Sequence, residues 1–501
     1  MNPSAQTSPA WKPKHAWQMV RRVAPPKRFA RERIGDFREI DLLFDERAVR
    51  EQASRCLHCP EPMCRTGCPL ANRIPEWLAL AADGRFLEAS ALSHSTSNMP
   101  EICSRVCPQD RLCEGACILN ARSDPVAIGS VEKFINEYAL ARGEIHGCTA
   151  PRNGGRVAVV GSGPGGLACA DELARLGYAA TVFESQLVPG GLLMTGIPSF
   201  KLERGVVERR LGVLRERGIN FRLGVTLGRD LSLGELRGRY DAVFLAIGAQ
   251  VPKVPDVPGV ELKGVVDALP FLAQTKVGAL AKVPPIDVAG KRVAVLGGGD
   301  TAMDCLRSAI RRGAREAVCL YRRDLANMPG SRKEYYNALE EGAQFHFLTN
   351  PIAIEGNAEG QVAQVHCVRM ELGEPDASGR RKPRAVPGSE FVASAELVLI
   401  AYGFDPPPLS GVSPVLKIAT NEWGGVIVNS DQTTNVPGIF AGGDLVRGPS
   451  LVVHAVRDGR AAAAGIDRYL SGPFHKYAHV RGKGFFGQTR RERRAYPEVD
   501  L

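Results

Sequence analysis

The chain has 501 residues, 44% of them hydrophobic and 24% charged, with a net charge of +10. Its length suggests about three domains of ~150 residues, and its composition excludes a disordered chain, a collagen-like repeat and a small disulfide scaffold. There is no uncharged apolar run of about 18 residues free of Gly and Pro, and the start MNPSAQTSPAWKPKHAW has no apolar signal core, so a soluble, cytoplasmic protein is expected with no membrane partner.

The positive charge is concentrated at the two ends. Residues 1–35 hold eight Lys or Arg against Glu32 alone, and residues 476–494 hold seven against Glu492, leaving −3 on the other 447 residues. Basicity confined to two terminal segments is read as solvated tails, or as docking onto a larger acidic partner; it argues only weakly for nucleic acid, and no nucleic-acid partner is expected.

Eight of the thirteen cysteines fall between Cys56 and Cys117, in two quartets. The first is Cys56-x2-Cys59-x4-Cys64-x3-Cys68-Pro69; the second is Cys103-x3-Cys107-Pro108-x4-Cys113-x3-Cys117. A disulfide framework belongs to small secreted domains. Zinc prefers paired Cys-x2-Cys knuckles, and only one pair here has that spacing. Tight thiolate runs ending in Cys-Pro favour iron–sulfur clusters, and two quartets allow two of them. The surrounding segment reads as helical: helix formers at 46–59, a helix–turn–helix over 74–94 broken at Asp83-Gly84, and a helix over 129–142 with Val131, Phe134, Ile135 and Tyr138 on one face.

From Gly155 the pattern becomes strand–turn–helix. The strand VAVV precedes Gly161-x-Gly163-x-x-Gly166, a helix follows, and a second strand ends at Glu184. This is a complete dinucleotide fingerprint: two glycines serve turn and packing, one admits the pyrophosphate, and the carboxylate accepts the ribose hydroxyls. A second unit runs over 291–324, with Gly297, Gly299, Asp300 and Thr301 in a GxGxxA loop ending at Ala302. Its second strand ends in Arg322-Arg323, where guanidinium groups would bind a 2′-phosphate that a carboxylate would repel. The first site therefore suits FAD and the second NADPH. Gly191 in VPGGLLMTGIPSFKL, and Gly443 and Asp444 in NVPGIFAGGDLVRG, are further FAD-site candidates, with a helix expected to begin near Leu451.

The stretches CLHCPEPMCRTGCPL, ICSRVCPQDRLCEGACILN, VAVVGSGPGGLACA, PGGLLMTGIPSFKL, GGGDTAMDC, YRRDLANMPGSRKE and GIFAGGDLVRG together make the chain similar, from about Ile34 to Leu470, to the small (β) subunits of bacterial NADPH-dependent glutamate synthases. The amino-terminal part of dihydropyrimidine dehydrogenase and ferredoxin:NADP oxidoreductase-type subunits are related. The resemblance implies an α/β fold: a helical iron–sulfur domain, then two Rossmann-like domains of disulfide-reductase type, with the NADPH domain inserted in the FAD domain. The corresponding expectation is a basic segment at 1–35, a helical domain with two 4Fe–4S clusters at 36–150, an FAD domain at 151–285 and 406–475, an NADPH domain at 286–405, and a basic tail at 476–501. The resemblance also implies that Cys56, Cys59, Cys64 and Cys117 hold one cluster and Cys68, Cys107 and Cys113 the other, with Glu132 as its fourth ligand. Spacing alone would choose Cys103.

The implied activity is NADPH oxidation at FAD, with electrons passed through the clusters to a large (α) subunit in a hetero-oligomer. That partner would reduce 2-iminoglutarate to glutamate with ammonia released from glutamine; this chain offers no amidotransferase nucleophile of its own. Two alternatives stand beside it. One is an NADPH:ferredoxin-type oxidoreductase with a different acceptor. The other is a zinc-bearing nucleic-acid or scaffold protein, opposed by two complete dinucleotide units.

Overall fold

The computed structural model describes residues 13–145, 150–375, 381–411 and 416–472. The segments 1–12 and 473–501, which include the basic tail, lie outside the described residues.

The helical domain is built from Glu46–Ser54, Ile74–Ala82, Phe86–Thr96, Pro100–Val106 and Ile128–Leu140. Asp45 caps the first of these by accepting from the Ala48 amide at 2.7 Å, supplying an acceptor for an otherwise orphan donor. The break expected at Asp83-Gly84 separates the second and third helices, with Gly84 at φ +81°. The helix expected with one apolar face is buried nearly all round: Val131, Phe134 and Ile135 join a core with Trp77, Leu78 and Phe86, while Glu132, Lys133 and Asn136 are also buried. Those polar groups are the first sign that this helix borders something other than a simple apolar core.

Two five-stranded parallel sheets follow, and they share one plan. In the first, the order is Ile439–Ala441, Ala242–Leu245, Arg156–Val160, Ala179–Glu184, Asn220–Leu223. In the second it is Val265–Asp267, Leu397–Ile400, Arg292–Leu296, Glu316–Tyr321, Gln344–Phe347. Each fingerprint strand is central and buried, as parallel strands covered on both faces must be. An antiparallel sheet of Thr349–Gly356, Val362–Pro375 and Arg381–Ser394 covers one face of the second parallel sheet, through Ile354, Val365 and Cys367 against Leu296, Leu320 and Val398.

The boundary expected at residue 285 is corrected by the sheet pairing. Val265–Asp267 forms parallel pairs with Leu397–Ile400, so the second sheet has already begun twenty residues earlier. The crossover is the short antiparallel ladder of Val251–Pro252 with Phe404–Asp405, where the chain leaves and re-enters the first domain. No turn signal marks it, because hydrogen bonding between distant segments sets it.

The solvated-tail reading is also corrected for residues 13–35. Arg22 pairs with Glu114, Lys27 with Glu340, and Arg33 is 1% exposed between Glu340 and Glu341. Just beyond, Asp41 pairs with Lys333, and Ile40 donates to the Phe200 carbonyl. This segment straps the helical domain to both Rossmann-like domains. Arg22, Lys27, Arg28 and Arg33 are engaged by internal glutamates and aspartates, whereas Arg21 and Arg31 are exposed.

The helical and first Rossmann-like domains share a core. Met99, Ile102 and Cys103 pack with Val157, Leu167 and Val453. Beside them Arg210 holds Glu101 in a buried two-point ion pair at 2.6 and 2.8 Å, the fork geometry that orients as well as attracts. Among the described residues no helix is long and apolar enough to cross a membrane.

Candidate functional site

Both fingerprint loops lie at the carboxyl ends of central strands, where open α/β sheets bind ligands. In the first, Gly161 has φ +104°, and a Cβ there would come within 2.3 Å of the Ala246 carbonyl oxygen. A Cβ on Gly166 would come within 1.9 Å of the Gly161 carbonyl oxygen. On Gly163 it would meet nothing within 4 Å. The second loop repeats this: Gly297, at φ +140°, would press a Cβ to 2.4 Å from the Ala401 oxygen, whereas Gly299 faces open space. The protein's own backbone explains Gly161, Gly166 and Gly297, but not Gly163 or Gly299. Gly163 and Gly299 are the N-caps of the helices Pro164–Arg175 and Asp300–Arg311, whose unpaired N–H groups and dipoles favour an anion in that space. The residues fit a dinucleotide pyrophosphate at each loop.

The selectors are placed at the ends of the adjacent strands. Glu184 is buried and accepts four hydrogen bonds: from the Ser162 amide at 3.0 Å and hydroxyl at 2.6 Å, the Ser185 hydroxyl at 3.1 Å and the Gln186 amide at 2.8 Å. Two of these donors are hydroxyls, which can rotate away when ribose hydroxyls compete. Gly191 touches the same loop, since a Cβ on it would lie 2.8 Å from the Gly163 Cα. Gly443 and Asp444 follow the strand Ile439–Ala441 of the same sheet. Asp444 accepts from the Ser450 amide at 3.1 Å, and burial raises its carboxyl to about 6. The helix expected near Leu451 runs from Val452 to Ser471.

At the second loop, Asp300 accepts from the Ser331 amide at 2.9 Å, which leaves Thr301 in the first turn of the helix. Arg322 is exposed and Arg323 half-buried, side by side beyond Tyr321. Tyr321, which precedes them, packs its ring against Gly298 of the loop.

The eight clustered cysteines separate into two cavities. Cys56, Cys59, Cys64 and Cys117 line one, walled by Leu57, Met63, Leu78 and Ile118. Cys68, Cys103, Cys107, Cys113 and Glu132 line the other. The described cysteines are all free. Among the described residues no three His, Cys, Asp or Glu side chains converge tightly enough to hold a single metal ion. Burial pushes the thiols of Cys56 and Cys64 up to about 12 and that of Cys68 to about 11. Such groups become thiolates only opposite a strong local positive charge, which a bound metal centre would supply.

Both candidates for the eighth ligand reach the second cavity. Glu132 accepts from Asn72 at 2.9 Å and Ser93 at 3.0 Å, both at Oε1, and burial raises its carboxyl to about 7. Cys103 hydrogen-bonds Cys107, which together with burial pushes the Cys107 thiol well up. Val453, from the helix of the first Rossmann-like domain, also lines this cavity. The first cavity is walled by the helical domain alone.

Several connecting residues carry no sequence signal. Lys276 places Nζ within 2.7–2.8 Å of the carbonyls of Leu193, Ile197 and Leu202. Arg111, between Cys107 and Cys113, donates to the carbonyls of Pro329 and Gly330 beside the second loop. Each is an unremarkable basic residue until the domains are assembled.

Residues 33–144 match the family described as dihydropyrimidine dehydrogenase domain II, 4Fe-4S cluster, and residues 155–459 match pyridine nucleotide-disulphide oxidoreductase. The chain is 46% identical over 464 residues to the glutamate synthase (NADPH) small chain of Escherichia coli, covering 90% of this chain and 98% of that one. It is 48% identical to the small chain of Halomonas elongata, covering 90% and 97%. It is also 46% identical to the putative oxidoreductase AegA of Escherichia coli, covering 90% of this chain and 70% of that protein. Among solved structures, Mycobacterium tuberculosis FprA in complex with NADPH shares the fold, with TM-score 0.54 and 22% identity over 66% of this chain and 89% of that one. Fold, cysteine sets and near full-length identity agree: the chain belongs to the glutamate synthase (NADPH) small-chain family, an NADPH-dependent flavin and iron–sulfur oxidoreductase.

Proposed function

We propose that the chain is the electron-input subunit of a glutamate synthase. It oxidises NADPH at FAD and delivers the electrons through two 4Fe–4S clusters to a large subunit, which makes glutamate from glutamine and 2-oxoglutarate. The observation that carries this reading is the shared wall at Val453: the second cysteine cavity opens against the helix that closes the first Rossmann-like domain, while the first cavity lies further out in the helical domain. FAD held at the first fingerprint loop would supply hydride acceptance and single-electron release, and clusters held by the two cysteine sets would carry electrons one at a time.

The chain's own residues take the following roles. Gly161, Gly163, Gly166, Glu184, Gly191, Gly443 and Asp444 bind FAD; Gly297, Gly299, Asp300, Thr301, Arg322 and Arg323 bind NADPH. Cys56, Cys59, Cys64 and Cys117 hold one cluster, and Cys68, Cys107, Cys113 and Glu132 the other. Glu132 is favoured over Cys103 because both protein donors use its Oε1, so among the described residues Oε2 has none. Cys103 instead packs into the core shared with the first Rossmann-like domain. The chain's match to nearly the full length of the small chains, against 70% of AegA, favours the glutamate synthase partner over another acceptor.

Anaerobic NADPH titration with iron, sulfide and FAD quantified tests the internal wiring. About eight irons and one FAD per chain, with flavin bleaching by NADPH, are expected of two four-iron clusters. Added large subunit should then support NADPH oxidation that depends on both glutamine and 2-oxoglutarate. Zinc in place of iron, or a flavin that NADPH leaves oxidised, overturns the wiring. Electron delivery to ferredoxin and none to the large subunit overturns the partner.

A further inference from the structure

Beyond the second fingerprint strand, Arg322, Arg323 and Asp324 enter a tight turn. The strand Arg381–Ser394 of the antiparallel sheet begins against this turn: Arg323 Nε donates to the Arg381 carbonyl at 3.3 Å. Pairing of Pro375 with Arg381 fixes that end of the strand in register. Asp324, the only acid in the turn, is engaged elsewhere. Its Oδ1 accepts from the Asn327 amide at 2.9 Å and side chain at 2.7 Å. Burial pushes its carboxyl up, but these hydrogen bonds and the Arg381 charge outweigh that and hold it below the ordinary range.

Four arginines of this domain are committed to glutamates: Arg292 and Arg315 to Glu396, Arg307 and Arg311 to Glu341. Among the described residues, Arg322, Arg323 and Arg381 have no such partner. Three guanidiniums against one carboxylate leave two net positive charges, the complement of a phosphate monoester near its dianionic state. Guanidinium forks suit phosphate oxygens in a way that a lysine point charge does not.

We propose that Arg381 is a specificity-determining residue for NADPH, completing with Arg322 and Arg323 a three-arginine site for the 2′-phosphate. The antiparallel sheet is then part of the coenzyme site as well as a cover for the parallel sheet. This inference rests on the reading of Arg322 and Arg323 given above.

The test uses full-length, FAD-loaded chains carrying Arg381→Ala, Arg381→Lys, or Arg322→Ala with Arg323→Ala. Each is titrated calorimetrically with 2′,5′-ADP and with 5′-AMP, which differ only by the 2′-phosphate. Loss of one charge-assisted contact should weaken 2′,5′-ADP in Arg381→Ala by about tenfold or more, with 5′-AMP unchanged and Arg381→Lys recovering part of the loss. Unchanged 2′,5′-ADP binding in Arg381→Ala, while the double variant loses it, overturns the role of Arg381 and leaves the arginine pair standing. No loss in either variant overturns both. Equal weakening of both ligands makes Arg381 a structural residue of the hairpin and overturns the proposal.

Discussion

Arg33 donates from Nε to the Glu341 carboxylate at 2.7 Å, joining positions 308 residues apart. Both side chains are almost fully enclosed, and Arg307 and Arg311 bind the same carboxylate. Burial pushes the Glu341 carboxyl up, but the Arg311 and Arg307 guanidiniums outweigh this and hold it at about 2.

A carboxyl held below its ordinary value of 4.5 contributes stability that is fully present above that value and lost as pH falls towards 2. The amino-terminal strap should therefore detach from the helix Arg332–Glu340 in this acid window, seen as a near-UV circular dichroism change. Arg33→Ala should weaken the strap by roughly 3 kcal/mol, the low end for a broken buried pair because Arg307 and Arg311 remain. Its acid transition should shift to higher pH; an unchanged transition would remove the strap from this account.

The fingerprint glycines divide by what a methyl group would meet. Gly163→Ala and Gly299→Ala should fold normally, since each Cβ enters open space and both residues have negative φ. They should nonetheless lose FAD and NADPH affinity respectively. Gly166→Ala should destabilise the domain itself, because its Cβ would overlap the Gly161 carbonyl oxygen. Circular dichroism together with flavin content separates the two outcomes.

Cys68→Ala should remove one cluster, roughly halving iron and sulfide, with FAD retained; Cys56→Ala should do the same for the other. Full iron content in either variant contradicts the division into two cavities. Comparing Glu132→Ala with Cys103→Ala by the same assay identifies the remaining ligand of the second cluster.

Lys276→Met keeps an unbranched side chain, one atom shorter, but deprives three carbonyls of their donor at the contact between the two Rossmann-like domains. Buried acceptors left unpaired cost about 1–3 kcal/mol each. Flavin should therefore be released at a lower temperature in a thermal ramp followed by fluorescence. Release at the unaltered temperature would make this contact energetically idle.

The legible parts of the fold were those set by local rules. Strand–loop–helix units announce themselves because a glycine loop, an apolar strand and a helix must be contiguous, and Arg156–Val160 and Arg292–Leu296 stand where the pattern put them. The start of the second sheet was not legible. Val265–Asp267 belongs there only because it pairs with Leu397–Ile400, more than 130 residues away.

The amino-acid sequence by itself determined the chemistry: eight clustered cysteines, two phosphate loops, a carboxylate after one and arginines after the other, all encoded at short spacing. Tertiary structure alone decided how these parts are coupled. It divided the cysteines between two cavities, brought both Cys103 and Glu132 to one of them, turned a basic leader into an internal strap, and placed Arg381 beside Arg323. The physical reason is range: backbone geometry and glycine sterics act within a few residues, whereas burial, ion pairing and cavity formation join residues that chain order leaves hundreds of positions apart.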